Sequence, residues 1–595
     1  MHFPIDLTSF IRDILLIIIS WFFMTTAFTS WGGFLTRIIG INISGKKGFF
    51  ANIWLGWCFC LFFFAVYHLF LPINAFASAL FYCPAIIYFF IKYGKKICPA
   101  VKSIGWLKIS AIVLVAIAAA AVAIQIPLNY DGGLYHMNSI RWANEHHIIK
   151  GIGNLHTRLG FNQLYFLYAA SLNFHPYLND YAFHTANSFL YIIFAAGMIM
   201  SGTFIDLLLF CLFFFLPMPY YWIAEPTPDI ASLFLQIIAF RYFIDVVHYK
   251  NCEHERSSYI GFVAIIAALL VAVKLSNIVF ASGMGLIAFL YCYKNPLEAL
   301  EKKTVRRSLV FLVIFAAIWV VRGYIQSGYP VFPSSAGRIA FDWTVPERMA
   351  KYTETCVYVG SRTGGQIYDP KSPVLQDGAW FDFWVKDNFF NEQHYLSDDL
   401  SQDIFTWLLL IFFPITMFNW GMGSVTLLVI SALLVLAWLR ALFRQKNLFV
   451  QTDKLFYLLL VDAASILFWF LVAPEVRFAN GLFIILFIVS LMMIKTAYPK
   501  LNIRNDIKKL FWFFPVFMFI WAFYVSYSID EFRISGMVVL NKLPMKNFVT
   551  DSGLTIYVPV KGDQCWDSAL PSTPEPEKGL ALLGSTLDEG FCMKE

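Results

Sequence analysis

A short acidic motif follows directly after a long apolar run. The run from Ile109 to Pro127 leads through Leu128-Asn129-Tyr130 into Asp131-Gly132-Gly133-Leu134-Tyr135-His136. If the run crosses a membrane, the Asp131 carboxylate lies at the boundary between lipid and water. A carboxylate there reaches both a lipid-borne and a water-borne substrate, and it can accept a proton as a general base. We therefore expect Asp131 to be catalytic.

Hydrogen-bonding side chains are dense in the polar stretch that begins at Asp131. Glycines at 151, 153 and 160 predict turns in its second half. Side chains of this kind suit a sugar or a phosphate, although they can also cap short helices and hold a loop in place. The candidate substrate-binding residues here are Tyr135, His136, Asn154, His156, Arg158 and Asn162.

Two more carboxylates occur in Glu225-Pro226-Thr227-Pro228-Asp229, between two apolar segments. Such a pair at the entrance of a span could bind a metal or orient an acceptor. Asp229 could instead cap the helix that begins beside it. We expect Glu225 and Asp229 to contact substrate.

Three cations also stand at the ends of apolar segments. Lys274 lies between two consecutive spans, where it could bind phosphate or extend to the interface. Arg322 ends another span, and Arg477 follows Glu475, with which it could form a structural ion pair. The planar guanidinium suits phosphate recognition. We expect Lys274, Arg322 and Arg477 to bind the phosphate of a donor.

The composition is that of a polytopic membrane protein. Hydrophobic residues make up 59% of the chain and charged residues 14%, whereas soluble domains carry about 25% charged residues. The net charge of +6 says little about partners, because lysine and arginine first set membrane topology. No basic run with interleaved aromatic residues favours nucleic acid.

Apolar segments predict an all-α fold with about 14 transmembrane helices. Basic loops at 92–102, 294–307, 440–454 and 495–509 are expected inside. The insertions 128–181 and 326–402 then lie outside, with every candidate residue above. This orientation requires that the short apolar segment 405–418 be re-entrant or interfacial. We divide the chain into extra N-terminal helices (1–105), a core (106–528) and a small outer C-terminal domain (529–595).

The C-terminal domain has no apparent catalytic constellation. Alternation from Leu554 to Val560 predicts a strand. Cys565 and Cys592 could form a disulfide in an oxidising compartment, or they could be free thiols.

These motifs together resemble bacterial GT-C glycosyltransferases, which use polyprenyl-phosphate sugars. The resemblance is closest to a group of large, uncharacterised membrane proteins of that class, and it extends from about residue 105 onward. The motifs that carry it are 131–136, 153–162, 474–478 and the tail motifs 564–567 and 590–592. It implies a helical membrane enzyme whose catalytic aspartate, in the first outer loop, corresponds to Asp131.

The expected reaction is transfer of a sugar from polyprenyl phosphate to an envelope glycan or lipid at the periplasmic face of the inner membrane. Asp131-Gly132 replaces the acidic pair common in GT-C enzymes, which leaves a divalent metal cofactor open. One alternative is an O-antigen polymerase or ligase that uses diphosphate-linked oligosaccharides through Arg322 and Arg477. A transporter is a weaker alternative, because no internal repeat is evident.

Overall fold

The fold is seen in a computed structural model, which describes residues 6–127, 129–214, 222–248, 253–292, 296–362, 420–445, 447–499, 535–540 and 543–594. Helices dominate these residues. Their α-helices are α1 (Leu7–Ile39), α2 (Gly45–Tyr67), α3 (Ala75–Lys102), α4 (Trp106–Ala123), α5 (Met137–Glu145), α6 (Tyr165–Leu172), α7 (Tyr181–Ser201), α8 (Phe204–Phe214), α9 (Pro228–His248), α10 (Glu253–Val273), α11 (Ile278–Cys292), α12 (Pro296–Glu301), α13 (Lys303–Ser327), α14 (Glu347–Gly360), α15 (Trp420–Leu442), α16 (Leu448–Val472) and α17 (Val476–Ala497).

The predicted class, an all-α multi-pass membrane protein, is confirmed. Within the described residues, ten helices are long and apolar enough to cross a membrane, and two shorter apolar helices span Leu275–Phe289 and Leu427–Leu442. The sequence predicted about 14 spans. Of the predicted segment 202–222, the described residues form α8 over Phe204–Phe214 and the start of a 3-10 turn at Trp222. The predicted spans 510–528 and 405–418 lie outside the described residues.

Contacts between helix ends define two ends of the bundle. At one end, Thr304 donates to the carbonyl of Gly40, and Lys47 forms an ion pair with Asp245. Gln445 donates to the carbonyl of Ala497, which places the end of α15 beside the end of α17. The opposite end carries the loops after α4 and α10 and the starts of α9 and α17. We call this second end the outer end, because the basic loops predict that it faces outward.

The N-terminal helices pack within the same core as the rest of the bundle. Helix α1 contacts α2, α3, α4 and α7. Glycines permit its close approach to α2, because a Cβ on Gly32 would lie 1.6 Å from the carbonyl oxygen of Asn52. One continuous apolar cluster runs from Phe10 to Phe591. The first three helices therefore stabilise the helices that carry the outer end.

The first outer insertion folds into short helices. A π-helical turn at Gly132–His136 leads into α5, and 3-10 turns at Ile152–Asn154 and Thr157–Phe161 precede α6. After α13, Tyr329, Phe332, Val345 and Ala350 form a small separate core beneath α14. The outer segments are thus compact and largely buried.

The C-terminal segment forms two antiparallel hairpins. Strand β1 (Met545–Val549) pairs with β2 (Thr555–Pro559), and β3 (Leu580–Leu582) pairs with β4 (Phe591–Met593). The backbone N–H of Phe591 donates to the carbonyl of Lys150, so β4 is joined to the first outer insertion. The expected strand near 554–560 is present as β2.

The disulfide considered for this domain is not formed in the structure, since Cys565 and Cys592 are both free thiols. Cys565 is buried, and its backbone N–H donates to Gly133 in the first insertion. Cys592 lies in β4 with its Sγ near the carbonyl of Leu582. The two backbones are thus fixed by different partners, and tertiary packing holds the domain without the bridge.

Candidate active site

Asp131 stands where the chain turns from α4 into the first outer insertion. Its backbone N–H donates to Asn129 Oδ1 at 3.0 Å, and the π-helical turn Gly132–His136 follows at once. Single π-helical turns are frequent at functional sites, because the extra residue redirects a side chain. The Asp131 side chain is 15% exposed, so solvent reaches it from one side only.

Each oxygen of this carboxylate accepts a hydrogen bond from an arginine. Arg158 Nη1 donates to Asp131 Oδ1 at 2.9 Å, and Arg477 Nη2 donates to Asp131 Oδ2 at 3.1 Å. Arg158 comes from the 3-10 turn Thr157–Phe161 and Arg477 from the first turn of α17. The Arg158 guanidinium also lies 5.6 Å from the centre of the Tyr135 ring.

Lys274 and Asp229 form the neighbouring ion pair. Lys274 Nζ donates to Asp229 Oδ1 and lies 3.4 Å from the centre of the Phe478 ring, a cation–π contact. Thr227 Oγ1 accepts the backbone N–H of Asp229, which leaves the Asp229 side chain to pair with Lys274. The alternative that Asp229 serves only as a helix cap is not what the structure shows.

Arg477 connects the two ion pairs. Its Nε lies 3.9 Å from Asp229 Oδ2 and 3.7 Å from Glu475 Oε1. Both separations exceed a hydrogen bond, and Nε has no hydrogen-bond partner. Arg477 therefore holds Asp131 through Nη2, while its Nε lies between two carboxylates without a hydrogen bond to either. Trp222 flanks the guanidinium with its ring centre at 5.6 Å.

The cluster strongly favours the ionised form of Asp131. Burial opposes ionisation, but Arg477 and Arg158 outweigh it and hold the pKa of Asp131 well below its usual range. Burial also lowers the pKa of Lys274, against the opposing effect of Asp229. The side chains of Arg158, Arg477 and Lys274 are 27, 22 and 15% exposed, so an anion from outside can reach all three.

A second carboxyl group, that of Glu225, contacts the last residue of the motif 131–136. His136 Nδ1 and Glu225 Oε1 are 3.1 Å apart, and Glu225 is fully buried. Burial raises the pKa of Glu225, with the His136 hydrogen bond opposing the shift. Glu225 Oε2 has no partner. A Cβ on Gly132 would lie 2.6 Å from Glu225 Oε1, so a larger residue there would displace the Glu225 carboxyl group.

A loop of the C-terminal domain packs directly on the motif, although the sequence assigned that domain no role. The backbone N–H groups of Cys565 and Trp566 both donate to the carbonyl of Gly133 at 2.8 Å. Gln564 Nε2 donates to the carbonyl of Tyr130 at 2.7 Å. A Cβ on Gly133 would lie 2.4 Å from the Trp566 indole. The sequence singled out the motifs 131–136 and 564–567 separately, but it did not predict that they are in contact.

Two predicted substrate-binding residues, Asn154 and Asn162, bind backbone carbonyls, and a third, His156, is buried. Asn154 Nδ2 donates to the carbonyls of Gly151 and Trp343, and Asn162 Nδ2 donates to the carbonyl of Trp319. His156 is buried, and burial lowers its pKa to about 3, so it is neutral at pH 7. The alternative in which such residues hold the loop in place describes the contacts of both asparagines.

Arg322 lies apart from the phosphate candidates Lys274 and Arg477. Its Nη1 donates to the carbonyl of Ala65 at 3.1 Å, and its Nη2 lies 3.2 Å from His68 Nδ1. The structure therefore does not bring Arg322 into contact with Arg477. This arrangement gives no support to the paired-arginine site that a diphosphate-using polymerase or ligase would need.

The carboxylates do not form a metal site. In the described parts of the chain, no group of three or more His, Cys, Asp or Glu residues could hold a metal ion. Asp131 and Asp229 are already engaged by cations, and Glu225 Oε2 is buried without a hydrogen-bond partner. A divalent cation requires several oxygen ligands, so these residues do not fit one.

Comparison with known proteins shows a family without an assigned activity. No curated protein and no solved structure matches the chain. The family model described as "Domain of unknown function (DUF8201)" matches residues 14–415. That match covers about two thirds of the chain, and it includes most of α1, all of α2 and α3, and the residues Asp131, Arg158, Asp229 and Lys274. The chain belongs to this family of unknown function.

Proposed function

We propose that this protein is a membrane glycosyltransferase. It transfers a sugar from a polyprenyl-phosphate donor to an envelope glycan or lipid, such as O-antigen, lipopolysaccharide or capsule, at the periplasmic face of the bacterial inner membrane. The observation that carries the proposal is the Asp131 carboxylate held between Arg158 and Arg477 at the outer end of apolar helices. This arrangement combines a base with cations within reach of lipid.

The cations suit the phosphate of the donor. Arg477 Nε has no hydrogen-bond partner, and Lys274 lies in the same ion-pair network through Asp229. A phosphate arriving there gains charge-assisted hydrogen bonds from both side chains. The prenyl chain would lie against apolar helices, so no soluble-nucleotide site is required.

The resting ion pairs keep Asp131 a weak base. A donor phosphate that draws Arg477 away removes the larger of the two arginine effects that lower its pKa. Asp131 then becomes more basic, and it does so only when the donor is bound. This order ties proton acceptance to donor binding and predicts that donor binds before acceptor.

The proposed chemistry is a single displacement. Asp131 accepts the proton of an acceptor hydroxyl, whose oxygen forms a bond to the anomeric carbon of the donor. The bond from that carbon to the phosphate oxygen breaks, and its electron pair leaves with the phosphate. Arg477 and Lys274 stabilise the charge that develops there. A one-step displacement inverts the anomeric configuration, and retention in the product would contradict it.

The proposal is tested by the glycan profile of envelopes from wild-type cells, a deletion strain and the complemented strain. We expect one sugar substituent to disappear in the deletion strain and to return on complementation. Its identity would name the donor sugar and the acceptor. An unchanged profile in all three strains would overturn the proposal.

A further inference from the structure

The backbone that carries Asp131 is separated from α4 by a non-helical stretch. Helix α4 ends at Ala123, and residues 125–127 and 129 are not helical. Asp131 is then followed by Gly132 and Gly133, and glycine has more backbone freedom than any other residue. The position of the Asp131 carboxylate therefore depends on contacts that other segments make with this stretch.

The C-terminal domain contacts the residue before Asp131 through two side chains. Gln564 Nε2 donates to the carbonyl of Tyr130 at 2.7 Å, and the Tyr130 hydroxyl donates to Asp563 Oδ2. That carbonyl belongs to the peptide group that joins Tyr130 to Asp131. The N–H of the same peptide group donates to Asn129 Oδ1. Both polar groups of this peptide are thus bonded, and its plane is held from two sides.

The same loop holds the chain after Asp131 through its backbone. The N–H groups of Cys565 and Trp566 both donate to the carbonyl of Gly133 at 2.8 Å. The Trp566 indole also packs so closely that a Cβ on Gly133 would lie 2.4 Å from it. The loop Asp563–Asp567 therefore contacts the chain on both sides of Asp131.

This loop is itself anchored on α5. Arg141 Nη1 donates to the carbonyl of Asp567 at 2.8 Å, and Asn138 Nδ2 donates to Ser572 Oγ at 2.6 Å. Trp566 has a φ of 47°, which is strained for a bulky residue. Strain of this kind persists where surrounding contacts determine the backbone, and it is frequent at functional sites.

We propose that the loop Asp563–Asp567 positions the Asp131 carboxylate for proton acceptance, with Gln564 as a positioning residue. Arg158 and Arg477 hold the two carboxylate oxygens, whereas the loop holds the backbone that carries them. Catalytic groups must be held within about 0.5 Å of their productive geometry. The inference rests on the proposed transferase function, and it gives the C-terminal domain a part in catalysis.

The test compares Gln564→Met with wild type in the full-length protein in detergent. Methionine has a similar length and no charge, but it has no N–H with which to bind the carbonyl of Tyr130. The matched control is Gln445→Met. It removes the same kind of bond, from Gln445 Nε2 to the carbonyl of Ala497, at the opposite end of the bundle.

The pH profile of sugar transfer separates positioning from a loss of folded protein. We expect Gln564→Met to lower kcat about 10- to 100-fold, because a shift of about 1 Å in a reacting group has an effect of that size. We also expect the acid limb of kcat/KM to move to higher pH. A smaller amount of folded protein would instead lower the rate equally at every pH. An unmoved acid limb would overturn the proposal.

The direction of this shift follows from the charges around Asp131. The cationic groups that lower its pKa are Arg477, Arg158, His136 and Lys274. A carboxylate that leaves its place among them is protonated, and lost as a base, at a higher pH.

Amide hydrogen exchange tests the same inference without catalysis. We expect the segment 129–136 to exchange about 5-fold faster in Gln564→Met, which is the factor for loss of one hydrogen bond. Gln445→Met should exchange there as wild type does. Unchanged exchange in Gln564→Met would overturn the inference.

Two further outcomes are also decided by these measurements. If Gln564→Met fails to fold, Tyr130→Phe takes its place, because it removes the contact with Asp563 from an exposed side chain. If wild type transfers no sugar, the proposed function fails, and the exchange measurement alone decides whether the loop holds the segment of Asp131.

Discussion

Asp131 and Arg477 lie 346 residues apart in the chain, yet Arg477 Nη2 donates to Asp131 Oδ2 at 3.1 Å. The first residue follows α4 and the second begins α17, so the contact exists only when both helices end at the outer surface. Arg158, which lies in the first insertion, donates to the other oxygen of the carboxylate. The whole bundle, rather than one loop, therefore sets the charge state of Asp131.

The contact between Gly133 and Trp566 predicts that Gly133→Ala is destabilising. A methyl group there meets the indole at 2.4 Å, and Trp566 is already held at φ 47°, where a non-glycine residue is strained. We expect a loss of about 1–3 kcal/mol in the free energy of unfolding and a C-terminal domain more sensitive to protease. Thermal unfolding in detergent and limited proteolysis measure both effects.

Gly94→Ala is the matched control, because a Cβ on Gly94 meets nothing within 4 Å. In the Trp566→Ala background the penalty of Gly133→Ala should disappear. A penalty that persists without the indole would show that another contact excludes the methyl group.

Arg158→Gln should move the acid limb of kcat/KM to higher pH. Arg158 is one of the cations that lower the pKa of Asp131, so its removal raises that pKa. The carboxylate is then protonated, and lost as a base, at a higher pH than in wild type. A pH profile of kcat/KM measures the shift, with Arg306→Gln as control. A lower rate with an unmoved acid limb would show that Arg158 does not tune Asp131.

Asp180 predicts a pH dependence of stability near the C-terminal domain. Burial, reinforced by Asp567 and opposed by Arg141, raises the pKa of Asp180 to about 6. The folded state therefore binds more protons than the unfolded state between the ordinary aspartate pKa and about pH 6, so stability falls as pH rises through this window. Asp180→Asn should remove that decrease in thermal unfolding curves. A curve parallel to wild type would contradict the assignment.

The fold class followed from composition, because apolar runs of span length have few alternative structures in a membrane. The packing of the C-terminal domain did not follow. Its contact through Trp566 depends on a backbone carbonyl of Gly133 and on the space left by a missing side chain. Neither feature has a periodic signature in the sequence.

The basic loops predicted that Asp131, Asp229, Lys274 and Arg477 share one face, and the structure brings these four side chains together. Residue type alone could not separate such residues from Asn154, whose amide binds backbone carbonyls. Whether such a residue joins the charged cluster or holds the loop depends on whether its side chain contacts another charged group or a backbone carbonyl. Tertiary packing determines which of these contacts forms.

The most direct test of the account is the rate of sugar transfer by Asp131→Asn, measured at equal protein level beside wild type and Asp180→Asn. The variant keeps the shape of the side chain but removes the charge between Arg158 and Arg477. We expect Asp131→Asn to lose about 10²–10⁴-fold in rate, with Asp180→Asn close to wild type at neutral pH. Wild-type transfer by a folded Asp131→Asn would contradict the assignment of Asp131 as the base.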